Sequence, residues 1–240
     1  MKKIVCILFI SLLASACASD IGGKSAAEID YNTVKNKLDD GKYTEANMLL
    51  ADYGTNHPYS KYTVQAELLR VFASYKGGEL ILSEILSTEF IERHPRHPDV
   101  DYAKYMKAMT HYRQSAPAEN DQEQTMLAVK AFKRLLSEHP DSEYAKDGAR
   151  RLQLLYTRLA GHELNVGKYY FDQGRYVAAA NRFQVILEKY QTTRPIEEGL
   201  YYLAASYAKL GVKDNARQTA ILLKHNYPNS EWSRKAEQFL

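Results

Sequence analysis

One spacing recurs along this sequence and narrows what it can fold into. A glycine is followed five residues later by a small residue and seventeen residues later by a proline. Gly41, Ala46 and Pro58 keep it, as do Gly78, Ser83 and Pro95, and Gly211, Ala216 and Pro228. Gly174 and Ala179 keep the first two slots, with Gln191 in place of the proline; Ala128 and Pro140 keep the last two, with Glu123 in place of the glycine. Each slot has a physical reason. Glycine permits the tight turn between antiparallel helices. The small residue lets two helices approach closely. Proline lacks an N–H and pushes the residue before it out of the helical region, which ends the second helix. Those preceding residues are His57, His94, His139 and Tyr227, and Ser60, Ser142 and Ser230 follow two positions after a proline as candidate N-caps. Apolar residues recur at helical spacing, as in Ala128, Phe132 and Leu135 or Ala179, Phe183 and Ile186.

The intervals between segments are also informative. From proline slot to next glycine slot is 20 residues after Pro58 and after Gln191, but 28 after Pro95 and 34 after Pro140. The extra 8 match the polar stretch from Ser115 to Gln122, which reads as a loop. The extra 14 are close to four helical turns, so lengthening a helix by that amount keeps the same face inward. Ser142 to about Gln173 is therefore expected to be one long helix, although Gly148, Gly161 and Gly167 weaken it.

Glycine, aromatic, small residue and closing proline in this order resemble the tetratricopeptide repeat. The implied fold is all-α: a superhelix of about five antiparallel helix pairs with an extended groove suited to protein partners. Two blocks are expected, residues 28–141 with three repeats and residues 142–240 with the long helix and two repeats.

The N-terminus reads as an address. Lys2 and Lys3 precede an apolar run from Ile4 to Leu13, too short to span a bilayer and of the length of a secretory core. Leu13-Ala14-Ser15-Ala16-Cys17 resembles the lipobox of bacterial lipoproteins. That resemblance implies a signal peptide over residues 1–16, lipidation of Cys17 and a tether over residues 17–27; Ala18 after the cysteine implies the outer membrane. A single acyl chain binds a bilayer only marginally, whereas several hold firmly.

Composition excludes several functions. Lys2 and Lys3 are two of the 32 basic side chains, so the rest carries 30 against 29 acidic ones. A balance so near neutral gives no broad basic face for nucleic acid. Both cysteines, Cys6 and Cys17, lie in the first 17 residues, leaving none for a disulfide or thiolate zinc site in the folded part. No phosphate loop, HExxH or GxSxG is present, and four of the 7 histidines fall at or near helix-ending prolines. The expectation is no catalysis, no cofactor and no metal. The 19 tyrosines suit half-buried helix seams and wet interfaces.

Longer stretches carry a narrower resemblance. Asn36 to Gly41 with Ala46, His94 to Met106 (HPRHPDVDYAKYM), His139 to Tyr144, Arg151 to Leu159 and Tyr169 to Arg182 (YYFDQGRYVAAANR) are similar to the BamD family, the repeat lipoproteins of the outer-membrane β-barrel assembly machinery. What this implies is a lipid-anchored adaptor on the periplasmic face of the outer membrane. Its C-terminal repeats would hold the last periplasmic domain of the barrel subunit BamA, with other assembly lipoproteins beside it. Its N-terminal repeats would receive unfolded outer-membrane proteins. The family motif ending in Asn-Arg maps its partner-binding arginine onto Arg182, with Tyr176 on the same segment; a planar, permanently charged guanidinium suits a carboxylate partner. The family's groove aromatic, before the first closing proline, is His57 here, with Tyr62 nearby. A different envelope scaffold, such as a pilotin or a peptidoglycan-enzyme adaptor, shares anchor and fold and stays open, as does, more remotely, an envelope hydrolase.

Overall fold

A computed structural model describes residues 24–240. The expected signal peptide, Cys17 and most of the tether lie outside the described residues. Among the described residues the chain is helical and has no strand. The helices are α1 (Ala26–Asp39), α2 (Tyr43–Ala51), the single turn α3 (Tyr53–Asn56), α4 (Thr63–Gly77), α5 (Leu80–Arg93), α6 (Val100–Gln114), α7 (Glu123–Glu138), α8 (Ala145–Asp172), α9 (Tyr176–Lys189), α10 (Ile196–Lys209), α11 (Lys213–Asn226) and α12 (Glu231–Ala236). They form five successive pairs, α1/α2, α4/α5, α6/α7, α8/α9 and α10/α11, each packed on the next, with α12 laid over the last pair. This is the tetratricopeptide-repeat superhelix expected from the spacing.

The repeat slots behave as their chemistry requires. Gly41, Gly78, Gly174 and Gly211 have φ of 74, 88, 71 and 77° and make the turn inside four of the five pairs, α6/α7 being joined by a longer loop. A side chain there would force a left-handed conformation costing roughly 1–2 kcal/mol. Ala46, Ser83, Ala128, Ala179 and Ala216 are all buried at the helix crossings. His57, His94, His139 and Tyr227 are C-caps with ψ of 57, 52, 65 and 59°, outside the helical region, as the following proline demands.

Two of the three expected serine caps need correction. Ser230 is the N-cap of α12 and accepts from the Trp232 N–H. Ser60 and Ser142 instead stand before a turn that precedes the helix. Their hydroxyls accept from the N–H groups of Tyr62 and Tyr144, and those tyrosines are the N-caps of α4 and α8. The reason is geometric: the chain needs one extra turn after the proline to reverse direction, and the serine stabilises that turn.

Helix α8 runs unbroken for 28 residues through all three of its glycines. Its first half supplies Leu155 to the core around Phe132 and Leu135, and its second half supplies Ala160 and Leu164 to the core around Phe183 and Ile186. One helix therefore belongs to two hydrophobic clusters. Phe90, Phe132 and Phe183 are the largest fully buried side chains, one in each of three of the four clusters along the stack. Each such burial contributes about 1.5–3 kcal/mol. The loop from Ser115 to Gln122 forms as expected between α6 and α7, and α8 holds it. His162 Nδ1 meets the Ala118 carbonyl at 2.8 Å, and Arg158 donates to the Ser115 hydroxyl.

Candidate functional site

A repeat stack offers its partners ridges and notches in place of one deep cleft. Three notches lie beside the first helices of the pairs, and of the residues singled out in the sequence His57 lines one of them.

At the N-terminal end, His57 closes α3, and its Nε2 sits 2.7 Å from an Asp30 carboxylate oxygen on α1. Its ring packs on Tyr53, with centroids 4.9 Å apart. Tyr53 meets Tyr31 edge-on, and Tyr31 stacks on Tyr62 at 4.6 Å. His57 and Tyr62 therefore stand at opposite ends of one aromatic row. They do not share a cavity: a small notch of about 120 Å³ is lined by His57, Asp30, Val34, Leu49 and Tyr53, without Tyr62. Burial among these rings pushes the Tyr31 hydroxyl above its ordinary value.

In the middle of the stack the turns before α6 and α8 approach α4. A notch of about 500 Å³ is floored by Leu68 and Leu69 and rimmed by Tyr102, Tyr144, Asp101 and Glu143. Ser142 donates to Asp101 at 2.6 Å, tying the two turns together. Tyr105 stacks on Tyr144 at 4.8 Å and donates to Asp147 at 2.8 Å. Burial, then the Asp147 carboxylate, push Tyr105 up to about 12. Burial by itself would raise Asp147, but hydrogen bonds from Arg151, Arg150 and Tyr105 outweigh it and hold the carboxyl at about 2. Sequence reading missed this tyrosine and carboxylate assembly, because its members come from two successive repeats and meet over leucines of a third. Its visible signals were the stretches His94 to Met106 and His139 to Tyr144, which supply Asp101, Tyr102, Tyr105, Ser142 and Tyr144.

At the C-terminal end, Arg182 projects from α9 and pairs with Glu163 of α8 at 3.2 Å; its side chain keeps 44% of its surface exposed. A pair so open to water contributes little to stability and can exchange partners. Tyr176, at the first position of α9, is half-buried and packs edge-on against Phe171. Six residues separate it from Arg182, which at 100° per residue sets the two on different faces of the helix. In the same block, α8, α10 and the start of α12 enclose a notch of about 540 Å³ lined by Leu164, Arg194, Glu198 and Trp232. Lys168 crosses toward Glu198 at 2.7 Å. Trp232, the only tryptophan in the chain, packs on Tyr201 at 5.2 Å and under Lys235.

Sequence comparison with known proteins matches almost the whole described chain. A protein-family profile described as YfiO, outer membrane lipoprotein, matches residues 24–222. The outer membrane protein assembly factor BamD of Rickettsia prowazekii is 32% identical over 236 residues, covering 96% of this chain and 93% of that protein. The protein of the same name from Neisseria meningitidis serogroup A is 32% identical over 256 residues, covering 99% and 96%. That from Caulobacter vibrioides is 30% identical over 213 residues, covering 89% and 70%. Among solved structures, the TPR2AB domain of yeast Sti1 covers 90% of this chain and 83% of its own at 14% identity, with a TM-score of 0.45.

Proposed function

The chain belongs to the YfiO family of outer membrane lipoproteins, and from that premise we propose that it is a lipid-anchored adaptor on the periplasmic face of the outer membrane. Its role is in outer-membrane protein assembly, as in the relatives named BamD. The observation that carries the reading is the match along nearly the full length of a stack of helix pairs with notches along it. The role is non-enzymatic: it holds other proteins and transforms none.

The two ends divide the work. Residues 142–240 hold a periplasmic domain of the barrel subunit BamA, alongside other lipoproteins of the machinery, and residues 28–141 receive unfolded barrel proteins. On the C-terminal block Arg182 exchanges Glu163 for a carboxylate of the partner, and Tyr176 adds an apolar shoulder beside Phe171. On the N-terminal block the row from His57 to Tyr62 offers an aromatic edge to an extended segment. Cys17 carries the lipid that keeps both blocks at the membrane.

Capture of the chain from detergent-solubilised envelopes tests this reading. The barrel subunit is expected in the eluate, and intact mass is expected to show a chain beginning at Cys17 with acyl groups attached. An eluate free of the barrel subunit would overturn the adaptor role; an unmodified N-terminus would overturn the anchor.

A further inference from the structure

Away from these notches, on the side of the second helices, α5 and α7 stand apart and leave a groove over α6. Its volume is about 240 Å³, room for an anchoring side chain but not for a folded domain. Ile91 of α5 with Leu127 and Ala131 of α7 give it an apolar lining, and Leu127 keeps 37% of its surface exposed. The remaining lining is mostly cationic: Lys104 and Lys107 from α6, Lys130 and Arg134 from α7.

The local charges do not cancel. Lys104 and Arg134 share one carboxylate, Glu138, at 2.6 and 2.7 Å. Glu84 is the one acid lining the groove, and it lies 3.6 Å from the buried ring of His111. Among the described residues, Lys107 and Lys130 have no ion pair, and Lys107 is half-buried in the groove. Four cations against two carboxylates leave an excess of two positive charges. The chain as a whole carries 32 basic and 29 acidic side chains, so general basicity does not explain this concentration.

The spacing selects the ligand. Lys104 and Lys107 are three residues apart on α6, and Lys130 and Arg134 four apart on α7, so each pair shares one face of its helix. Neighbours on such a face repeat about every 5.4 Å, which suits carboxylates one helical turn apart or on one side of an extended strand. Two of the cations are recessed, Lys104 with a side chain only 11% exposed and Lys107 half-buried, while Lys130 and Arg134 stand exposed at the rim. Anionic bilayers attract Lys and Arg that protrude to the headgroup plane, whereas recessed ammonium groups over an apolar floor are reached by inserted side chains. We propose that the groove between α5 and α7 docks an acidic peptide segment of a partner protein, with an aliphatic residue anchored against Ile91 and Leu127.

The test uses the mature chain and a fluorescein-labelled peptide of repeating Leu-Glu-Glu units, read by anisotropy at low salt. The expected result is saturable binding that weakens at least about tenfold in Lys107→Glu/Lys130→Glu, because rim and groove charges govern attraction of an oppositely charged partner. Lys213→Glu, at the far end of the stack, is expected to bind as wild type does. Should the double reversal fail to fold by circular dichroism, Lys107→Gln/Lys130→Gln serves in its place, with a smaller loss expected. Unchanged affinity in the double variant overturns the proposal. So does equal binding of a Leu-Lys-Lys peptide, or binding to phosphatidylglycerol vesicles with none to the acidic peptide.

Discussion

Gly167 of α8 lies flat against the ring of Phe183 of α9, so close that a Cβ at 167 would come within 2.8 Å of ring carbons Cδ1 and Cζ and nearer still to Cε1. The glycine that weakens α8 as a helix is the residue that lets the fourth pair close over its phenylalanine. Gly167→Ala gains helix propensity but forces ring or backbone to move, and overpacking of this kind costs about 1–3 kcal/mol. Urea unfolding of Gly167→Ala is expected to show that loss. In a Phe183→Leu background the same substitution is expected to cost much less. Equal costs in both backgrounds would contradict the contact.

Gly211 separates the backbone requirement from packing. Its φ is 77° and a Cβ there would meet nothing within 4 Å. Gly211→Ala is therefore expected to cost about 1–2 kcal/mol through conformational strain alone. Gly211→Asn, which tolerates the left-handed region better, should cost less. A thermal melt of the two variants checks the order.

Ser83 occupies the small-residue slot, fully buried, and meets Thr110 at 3.1 Å. Thr110 keeps its own bond to the Met106 carbonyl at 2.9 Å whether or not Ser83 is present. Ser83→Ala should therefore stay within about 1 kcal/mol of wild type. Ser83→Leu should cost several times more by overpacking the crossing of α5 and α6.

Acid is expected to loosen the middle of the stack. Asp147 sits at about 2, against an ordinary value of 3.8, because its bonds from Arg151, Arg150 and Tyr105 exceed the cost of its burial. A depressed carboxyl gives stability that is complete above the unfolded value and is lost as pH falls toward the folded one. The difference in melting temperature between wild type and Asp147→Asn should be constant above about pH 4 and shrink as pH falls to 2. A difference independent of pH through that window would show that the carboxylate is not held this way.

Local signals read correctly where one residue's backbone decided the outcome. The four turn glycines and the C-caps before proline depend on chemistry within a few positions, and the fourteen-residue extension of α8 on the interval between repeat slots. The reading failed at Ser60 and Ser142, where a further turn intervenes between cap and helix. Gly161 was equally opaque: a Cβ there would lie 3.2 Å from that of Ala118, so its use is to seat the loop before α7. The candidate site was legible only in pieces. Arg182 and His57 could be picked out, but not their pairing with Glu163 and Asp30. The lysine groove could not be found, because its cations are ordinary surface residues until α6 and α7 bring them together.

Calorimetric titration of the mature chain with the last periplasmic domain of the barrel subunit tests the adaptor role most directly. The expected result is a saturable one-to-one complex, weakened at least about tenfold by Arg182→Glu through loss and reversal of a charge contact. His57→Ala, at the other end of the stack, should leave it intact. No binding by the wild-type chain, or the same affinity with Arg182→Glu, would contradict that assignment of the C-terminal repeats.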